Sequence, residues 1–355
     1  MEHTSYTNEF REKIQEEAEN TLLSFKRATA NITMRLGKTK IGLNIASKFK
    51  KVIVSYPNIS ILDSWKKDAE TFGINIDHIT FTTHRSLKKH NLQEYDCLII
   101  DEIHDLSENQ WMDLQFDIPN RLYGLTGTPP IKGEKAEYLN RLCPIKYVKK
   151  LEDTTGITNK DYEIRIHLLK PSTKRDLQLK SGKLWSGANK IQFFDNLYEE
   201  KRTLSVMLSL INSIKTSRTK FSYLRKLIAQ KRRCIVFVEN TEQCKETNLL
   251  SYHSKEKDSE KNLDDFQNNR INKLVTINQL RQGTTFHDLQ SCIILHSYAS
   301  NNRTSQKIGR CLNYVEGEKA IIDIICLKGT RDEMWTKQAL VDFDNNKIKY
   351  IDAEI

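Results

Sequence analysis

The stretch YDCLIIDEIHDL, residues 95–106, constrains the fold more than any other part of the sequence. Its apolar run, residues 97–100, predicts a buried strand, and two carboxylates, Asp101 and Glu102, follow at once. Adjacent carboxylates at the end of a buried strand are costly unless a positive group faces them. Ligands of open α/β sheets bind at the carboxyl ends of the strands, which favours Mg²⁺ with a phosphate there. An acidic surface turn is the alternative.

Length, composition and charge limit the class of protein. A chain of 355 residues is long enough for two α/β domains. It contains no run approaching the roughly 18 apolar residues of a membrane span, and its N-terminus lacks an export-signal pattern. The seven cysteines show no pairing or zinc-like spacing, so we expect reduced thiols in a cytoplasmic, reducing compartment. The net charge of +10 favours a polyanionic partner.

A phosphate-binding loop is predicted ahead of the acidic pair. Within residues 9–26, apolar residues four apart predict an amphipathic helix that packs as scaffold. Gly37, Lys38 and Thr39 then precede a helix-like segment, residues 41–49. A GKT tripeptide that opens a helix directs backbone N–H groups at phosphates, with Lys38 reaching the β and γ phosphates and the Thr39 hydroxyl reaching Mg²⁺. The longer pattern is incomplete, since Ile32 replaces its first glycine and Arg35 a small residue.

Further loops rich in hydroxyl groups follow short strand-like runs. The runs at residues 52–55 and 79–82 end in Tyr-Pro-Asn and in Thr-His-Arg-Ser, and residues 121–130 read RLYGLTGTPP. Hydroxyl groups and an arginine just past a strand suit phosphate, although ordinary turn and helix-cap chemistry explains them equally well. Strands that alternate with helices predict a parallel, doubly wound sheet over the first 150 residues.

These motifs together resemble those of superfamily 2 helicases. GKT, SYPN, TTHRS, DEIH and LTGTP stand in the order of motifs I, Ia, Ib, II and III, and MRLGKT with GLTGTP is most similar to the Swi/Snf-type and phage-type branches. The resemblance implies an α/β fold with two RecA-like doubly wound parallel-sheet domains in tandem. We place them at residues 1–150 and 161–355, joined by a polar linker at residues 151–160.

The second half of the chain carries the later motifs of that family. Residues 234–238 resemble motif IV, residues 274–283 resemble motif V, and residues 305–313 match most of motif VI. In motif VI, Gln306 and Arg310 fit, but Asn313 stands in place of the final arginine. Residues 201–238 contain ten Lys and Arg residues and no Asp or Glu. Such a stretch either tracks a nucleic-acid backbone or forms a helix face balanced by acids elsewhere.

The resemblance assigns roles to individual residues. It implies that Asp101 and Thr39 hold Mg²⁺, that Glu102 orients or deprotonates the attacking water, and that His104 couples this site to Thr126 and Thr128. The ATP contacts it implies are Arg35, Leu36, Gly37, Lys38, Thr39, Gly283 and Arg310. Gln306 and Arg310 are expected to act in catalysis from the second domain. Because of Asn313, either the trans-acting charge comes from Arg310, from Arg303 or from a partner, or ATP hydrolysis is slow.

The resulting hypothesis is a compact ATP-dependent helicase or translocase that uses ATP and Mg²⁺, with DNA only weakly favoured over RNA because the branches it resembles act on duplex DNA. The nucleic-acid contacts it implies are Pro57, Asn58, Thr82, Thr83, Arg85, Asn240, Thr284 and Thr285. They contact phosphate and sugar, so we expect little sequence preference. We expect a monomer whose domains close on ATP, with targeting by a protein partner. The alternative is a degenerate helicase fold that binds nucleic acid or protein and hydrolyses little ATP.

Overall fold

The structure, a computed structural model, describes residues 2–277, 286, 289–298, 301–313, 315 and 317–354. The chain divides into two compact units, of which the first contains the described residues up to Asn159 and the second those from Lys160 onward. The segment predicted as a linker, residues 151–160, contains a 3₁₀ turn at Glu152–Thr154. Asn159 and Lys160, at the end of this segment, are buried.

The first unit is a parallel sheet with helices between its strands. The described residues up to Asn159 form α1 Glu2–Leu23, β1 Arg27–Ile32, α2 Lys38–Ala46, β2 Val52–Tyr56, α3 Ser60–Phe72, β3 Ile79–Thr83, β4 Cys97–Asp101, α4 Glu108–Phe116, β5 Arg121–Thr126, α5 Glu134–Leu142 and β6 Ile145–Lys149. These six described strands pair in the order β3-β2-β4-β5-β1-β6, and every pairing is parallel.

Apolar strands and one face of each helix build the core of this unit. Strands β2 and β4 are buried along their whole length, as expected for a sheet covered on both faces. Ile14, Ala18 and Leu22 of α1 are at most 2% exposed, which confirms the predicted scaffold helix. Trp65 of α3 is fully buried, and a Cβ on Gly42 would lie only 2.4 Å from its ring, so the glycine makes room for the indole.

The second unit repeats this architecture. The described residues from Lys160 form β7 Asp161–Leu169, β8 Arg175–Gln178, β9 Leu184–Ser186, α6 Gly187–Lys201, α7 Leu204–Lys215, α8 Arg218–Gln230, β10 Cys234–Val238, α9 Thr241–Thr247, β11 Ser251–Tyr252, α10 Ser259–Gln267, β12 Lys273–Ile277, β13 Ser291–Ile294, α11 Asn301–Gly309, β14 Lys319–Leu327, α12 Arg331–Ala339 and β15 Ile348–Ala353. Seven of these described strands form a parallel sheet in the order β11-β12-β10-β13-β14-β7-β15, and β8 pairs with β9 in an antiparallel hairpin.

The two parallel sheets confirm the predicted α/β fold class with two tandem sheet domains. All seven cysteines are buried free thiols, in keeping with the absence of a disulfide pattern in the sequence. Among the described helices, none combines the length and the apolar character that crossing a membrane requires.

Candidate active site

The residues predicted for ATP chemistry lie at one edge of the first sheet. Because β1 to β5 are parallel, their carboxyl ends meet at the same edge. The loop after β1 leads to Lys38 at the start of α2, β4 ends at Asp101, and β5 ends at Thr126. Strand topology thus brings together side chains that are up to 88 residues apart between Lys38 and Thr126.

Left-handed backbone shapes the loop before α2. Arg35 has φ 69°, and Gly37, the N-cap of α2, has φ 79° and ψ 48°. Glycine adopts this conformation without steric cost, whereas Arg35 does so under strain. The loop leads into the first turn of α2, whose backbone N–H groups and positive dipole end favour an anion. The missing glycine of the longer pattern therefore does not prevent the turn that a phosphate loop requires.

Helix α1 supports this loop through Gln15, which the sequence analysis did not identify. Gln15 is 6% exposed, and its Nε2 donates to the Leu36 carbonyl at 2.9 Å. A Cβ on Gly37 would lie 2.4 Å from the same nitrogen, so the side chain touches the loop on two sides. The position of Gln15 in the sequence could have indicated this role. It adjoins the apolar stripe of α1, and a polar side chain that is buried there needs a hydrogen-bond partner.

A chain of polar contacts joins the loop to the end of β5. Lys38 Nζ lies 3.8 Å from Glu102 Oε1, and Glu102 Oε2 lies 3.4 Å from His104 Nδ1. His104 Nδ1 is 2.7 Å from Thr126 Oγ1, which also accepts from the Thr128 amide at 3.2 Å. His104 and the Thr128 amide therefore both contact the Thr126 hydroxyl, and the coupling role that the resemblance implies stays a prediction. This route links the Glu102 carboxylate, just after β4, to the loop after β5.

Asp101 is the buried member of the acidic pair. It is 7% exposed, and its Oδ2 accepts a hydrogen bond from Trp65 Nε1 at 3.1 Å. Burial, and then the charge of Glu102, raise the pKa of Asp101 to about 7, while the bond from Trp65 and the charge of Lys38 oppose that rise. A divalent cation bound to such a buried carboxylate would stabilise its ionised form and lower its pKa strongly.

Glu102 is held in an unusual backbone conformation. Its φ of 49° and ψ of 52° lie in the left-handed region, and it is the residue before the 3₁₀ turn Ile103–Asp105. For a residue other than glycine, such a conformation costs of order 1–3 kcal/mol and persists only where the surroundings impose it. The turn directs the Glu102 carboxylate towards Lys38 and His104.

The residues predicted to bind nucleic acid follow β2 and β3. Asn58 and Arg85 are exposed, and Pro57 and Thr83 are half-buried. Thr82 is only 6% exposed, which leaves Thr83 and Arg85 as the outward-facing members of that segment.

In the second unit, Asn240 is exposed and caps α9 by accepting from the Gln243 amide at 2.9 Å. Gly283, Thr284 and Thr285 lie outside the described residues.

Motif VI falls on α11 and the turn after it. Gln306 and Arg303 are exposed, and Arg310 is half-buried, with burial lowering its pKa. Asn313 Nδ2 donates to the Phe286 carbonyl at 2.6 Å. The residue that replaces the expected arginine therefore ties this turn to the segment before β13.

Part of the basic stretch of residues 201–238 pairs with acids of its own unit. Lys220 is fully buried and donates to Asp332 Oδ2 at 2.8 Å, and Lys231 contacts Asp323. Other contacts join Arg218 to Asp176, Lys215 to Glu239, Arg225 to the Glu246 carbonyl, Lys226 to the Glu354 carbonyl and Arg233 to the Ile271 and Phe266 carbonyls. Acids from elsewhere in the unit thus pair with four of the ten basic residues, and contact between the stretch and a nucleic-acid backbone stays a prediction.

Two protein-family models match the chain. Residues 2–131 match the model described as type III restriction enzyme, res subunit, and residues 219–314 match the model described as helicase conserved C-terminal domain. The first range contains the phosphate loop, the acidic pair and the loop after β5, and the second contains α11.

Similar proteins extend the comparison to most of the chain. The DNA 3'-5' translocase XPB2 of Sulfurisphaera tokodaii is 25% identical over 360 residues, which cover 90% of this chain and 82% of the relative. The Hef helicase domain of Pyrococcus furiosus has a TM-score of 0.53 at 15% identity and covers 92% of this chain and 96% of its own. The ATP-dependent Type ISP restriction-modification enzyme LlaBIII, bound to DNA, has a TM-score of 0.60 at 14% identity, covering 96% of this chain and 31% of its own. The structural likenesses show a shared tandem RecA-like fold.

Proposed function

We propose that the chain is a superfamily 2 helicase that acts as an ATP-dependent DNA helicase or translocase. The observation that supports this most directly is the contact chain from Lys38 through Glu102 and His104 to Thr126 at one sheet edge. DNA is favoured over RNA because the sequence relative is named as a DNA translocase and one structural relative was solved with DNA. The Swi/Snf-type or phage-type branch stays a prediction.

Hydrolysis of ATP by this site is phosphoryl transfer to water, in which the protein supplies position and charge. Lys38 and the N-terminus of α2 would hold the β and γ phosphates. Glu102, fixed by its backbone and by two polar neighbours, would orient the water and accept its proton. Through its contact with Thr126, His104 would couple changes in the position or charge of Glu102 to Thr126 and Thr128.

The donor set fits Mg²⁺. The carboxylate of Asp101 is buried and resists ionisation without a cation, and the Thr39 hydroxyl stands in the first turn of α2. Oxygen ligands of this kind are those that Mg²⁺ uses when it bridges protein and phosphates. When bound, Mg²⁺ would neutralise charge on the phosphates. The trans-acting role of Gln306 and Arg310 and closure of the two units stay predictions.

The test is ATP turnover with single-stranded DNA, duplex DNA and RNA, for the unaltered protein and for Glu102→Gln. Loss of a general base typically lowers turnover by about 10²–10⁴-fold. Glu102→Gln should therefore abolish stimulated turnover but retain binding of an ATP analogue. Glu108→Gln, an exposed carboxylate in the first turn of α4, is the matched control and should leave turnover unchanged.

Two outcomes would contradict the proposal. If no polynucleotide raised turnover above background, the motor function would be wrong. If the protein bound the ATP analogue and nucleic acid but never hydrolysed ATP, the degenerate binding module would be the better description.

A further inference from the structure

A buried histidine lies between the predicted nucleic-acid loops and the acidic pair. His84 directly follows β3, the edge strand, and is 4% exposed. Its amide donates to the Tyr56 carbonyl at 2.8 Å, which extends the β3–β2 pairing by one residue. Its ring crosses the end of β2, where Nδ1 lies 2.7 Å from Ser55 Oγ. His84 is thus fixed to the neighbouring strand by both backbone and side chain.

The other side of the ring faces the end of β4. The main chain of Asp101 and Glu102 lies close enough to the ring to interact with one of its N–H groups. A neutral imidazole carries a single N–H, which either ring nitrogen can hold. Nε2 is buried and, within the described parts of the chain, has no partner at normal hydrogen-bond geometry.

The neighbours of the ring favour one tautomer. The Ser55 hydroxyl can either donate to Nδ1 or accept from it, whereas the main-chain carbonyls of Asp101 and Glu102 can only accept, so a ring proton on Nε2 suits both sides. A buried N–H without a partner is unfavourable in free energy. The nearby acceptors are the main-chain carbonyls at the end of β4, which a small movement would bring into range. Hydrogen bonds of catalytic sites are often long in the free enzyme and tighten only when ligands bind.

The position of His84 in the chain connects such a movement to the predicted nucleic-acid contacts. Thr83 and Arg85, the outward-facing predicted nucleic-acid contacts, are its direct neighbours, and Pro57 and Asn58 begin two residues after Ser55. A nucleic acid that pulls on these loops would displace the imidazole. The displaced Nε2–H would donate to the main chain at the end of β4, next to or at Glu102. The backbone of Glu102 is already strained in its left-handed conformation.

We propose that His84 is a positioning residue that couples nucleic-acid engagement at the loops after β2 and β3 to the main chain of Asp101 and Glu102. The inference rests on the proposed function. His84 touches neither ATP nor water in this role. It adjusts the orientation of Glu102 only when nucleic acid engages these loops, and thereby determines how strongly DNA stimulates turnover.

Two substitutions separate the contributions of the two ring nitrogens, Nδ1 and Nε2. His84→Asn keeps a polar atom near the Nδ1 position for Ser55 but removes the group that reaches the end of β4. His84→Gln keeps a donor near the Nε2 position and loses the Nδ1 acceptor. We expect His84→Asn to leave turnover without DNA within about 2-fold of the unaltered protein and to cut the stimulation factor about 10-fold or more. His84→Gln should restore most of the stimulation.

A matched control lies at the other end of the same strand. His78 precedes β3, and its Nε2 lies 3.1 Å from the Ala46 carbonyl, so His78→Asn also removes a histidine contact between elements. It should leave the stimulation factor unchanged. The readouts are turnover with and without saturating DNA, the dissociation constant for DNA, and the midpoint of urea unfolding for each variant.

The outcomes distinguish this proposal from the proposed function. Unaltered protein without any stimulation would overturn both. Stimulation that survives His84→Asn in a folded variant would overturn the role of His84 and leave the function intact. Equal losses in His84→Asn and His84→Gln, or equal losses with and without DNA, would show that the residue is only structural.

Discussion

The hydrogen bond from Trp65 to Asp101 can be tested by Trp65→Phe. This change removes the indole N–H that reaches Asp101 Oδ2 at 3.1 Å, inside a core where Trp65 is fully buried. Part of the resulting loss is packing, because phenylalanine leaves a void, and that part does not depend on pH. The other part is the loss of a partner for a buried carboxylate, and it depends on whether Asp101 is ionised.

The size and the sign of the second part follow from the geometry. A hydrogen bond to a charged group contributes about 1.5–3 kcal/mol, and about 1.36 kcal/mol corresponds to one pKa unit. Trp65→Phe should therefore raise the pKa of Asp101 from about 7 by roughly one to two units. Because the pKa of Asp101 is higher in the folded state than in the unfolded state, its contribution to the free energy of unfolding is fully present below the unfolded pKa and is lost as pH rises through the folded pKa. A higher folded pKa in Trp65→Phe carries this loss to higher pH. The free energy of unfolding that the substitution removes should therefore be larger at pH 8.5 than at pH 6.

The assay is urea unfolding of the nucleotide-free protein at both pH values, with Trp111→Phe as control. Trp111 is also fully buried, but its Nε1 has no hydrogen-bond partner among the described residues. Its substitution should cost packing free energy alone, with no dependence on pH. If the two variants lost equal free energy at both pH values, the indole of Trp65 would be acting only as a packing group and the reasoning on Asp101 would be refuted.

Three further predictions concern packing, charge and metal. Gly42→Ala should lower the free energy of unfolding by about 1–3 kcal/mol, since its Cβ would lie 2.4 Å from the Trp65 ring; urea titration measures this, and an unchanged midpoint would contradict the crowding. Lys220→Met should cost about 3–5 kcal/mol by leaving Asp332 buried and unpaired, and Lys220→Met with Asp332→Leu should recover most of it in the same titration. Mg²⁺ should strengthen binding of a non-hydrolysable ATP analogue more at pH 8 than at pH 6, because protons compete for a carboxylate whose pKa is about 7; calorimetry would show equal strengthening if Asp101 were not the ligand.

The strands that position the site were predictable from apolar runs. Residues 97–100 and 234–238 are long enough and apolar enough to be central strands, and the structure has β4 and β10 there. Once parallel strands are expected, their carboxyl ends must meet, which brings Asp101 towards Lys38. The edge strands β6 and β15 were missed because half-buried and exposed residues, several of them charged, fill both.

Contacts between residues far apart in the chain were beyond reach from sequence. The partial pairing of the basic stretch depends on Asp323 and Asp332, about a hundred residues later, and only the fold shows that they meet Lys231 and Lys220. The same holds for Gln15, which meets Leu36 across 21 residues, and for His84, which meets Ser55 across 29. Local pattern predicts elements and their ends, but it does not predict which polar side chains find each other across a core.

The left-handed conformation of Glu102 has a consequence for anyone who evolves this protein in the laboratory. Glycine and asparagine accept that backbone more readily than glutamate does, and either would also remove a negative charge from beside Asp101. A library screened for heat resistance alone should therefore accumulate Glu102→Gly and Glu102→Asn and drift towards inert, robust variants. Directed evolution of a thermostable form must select for turnover in every round, because the substitutions that stabilise this position also remove the carboxylate that turnover requires.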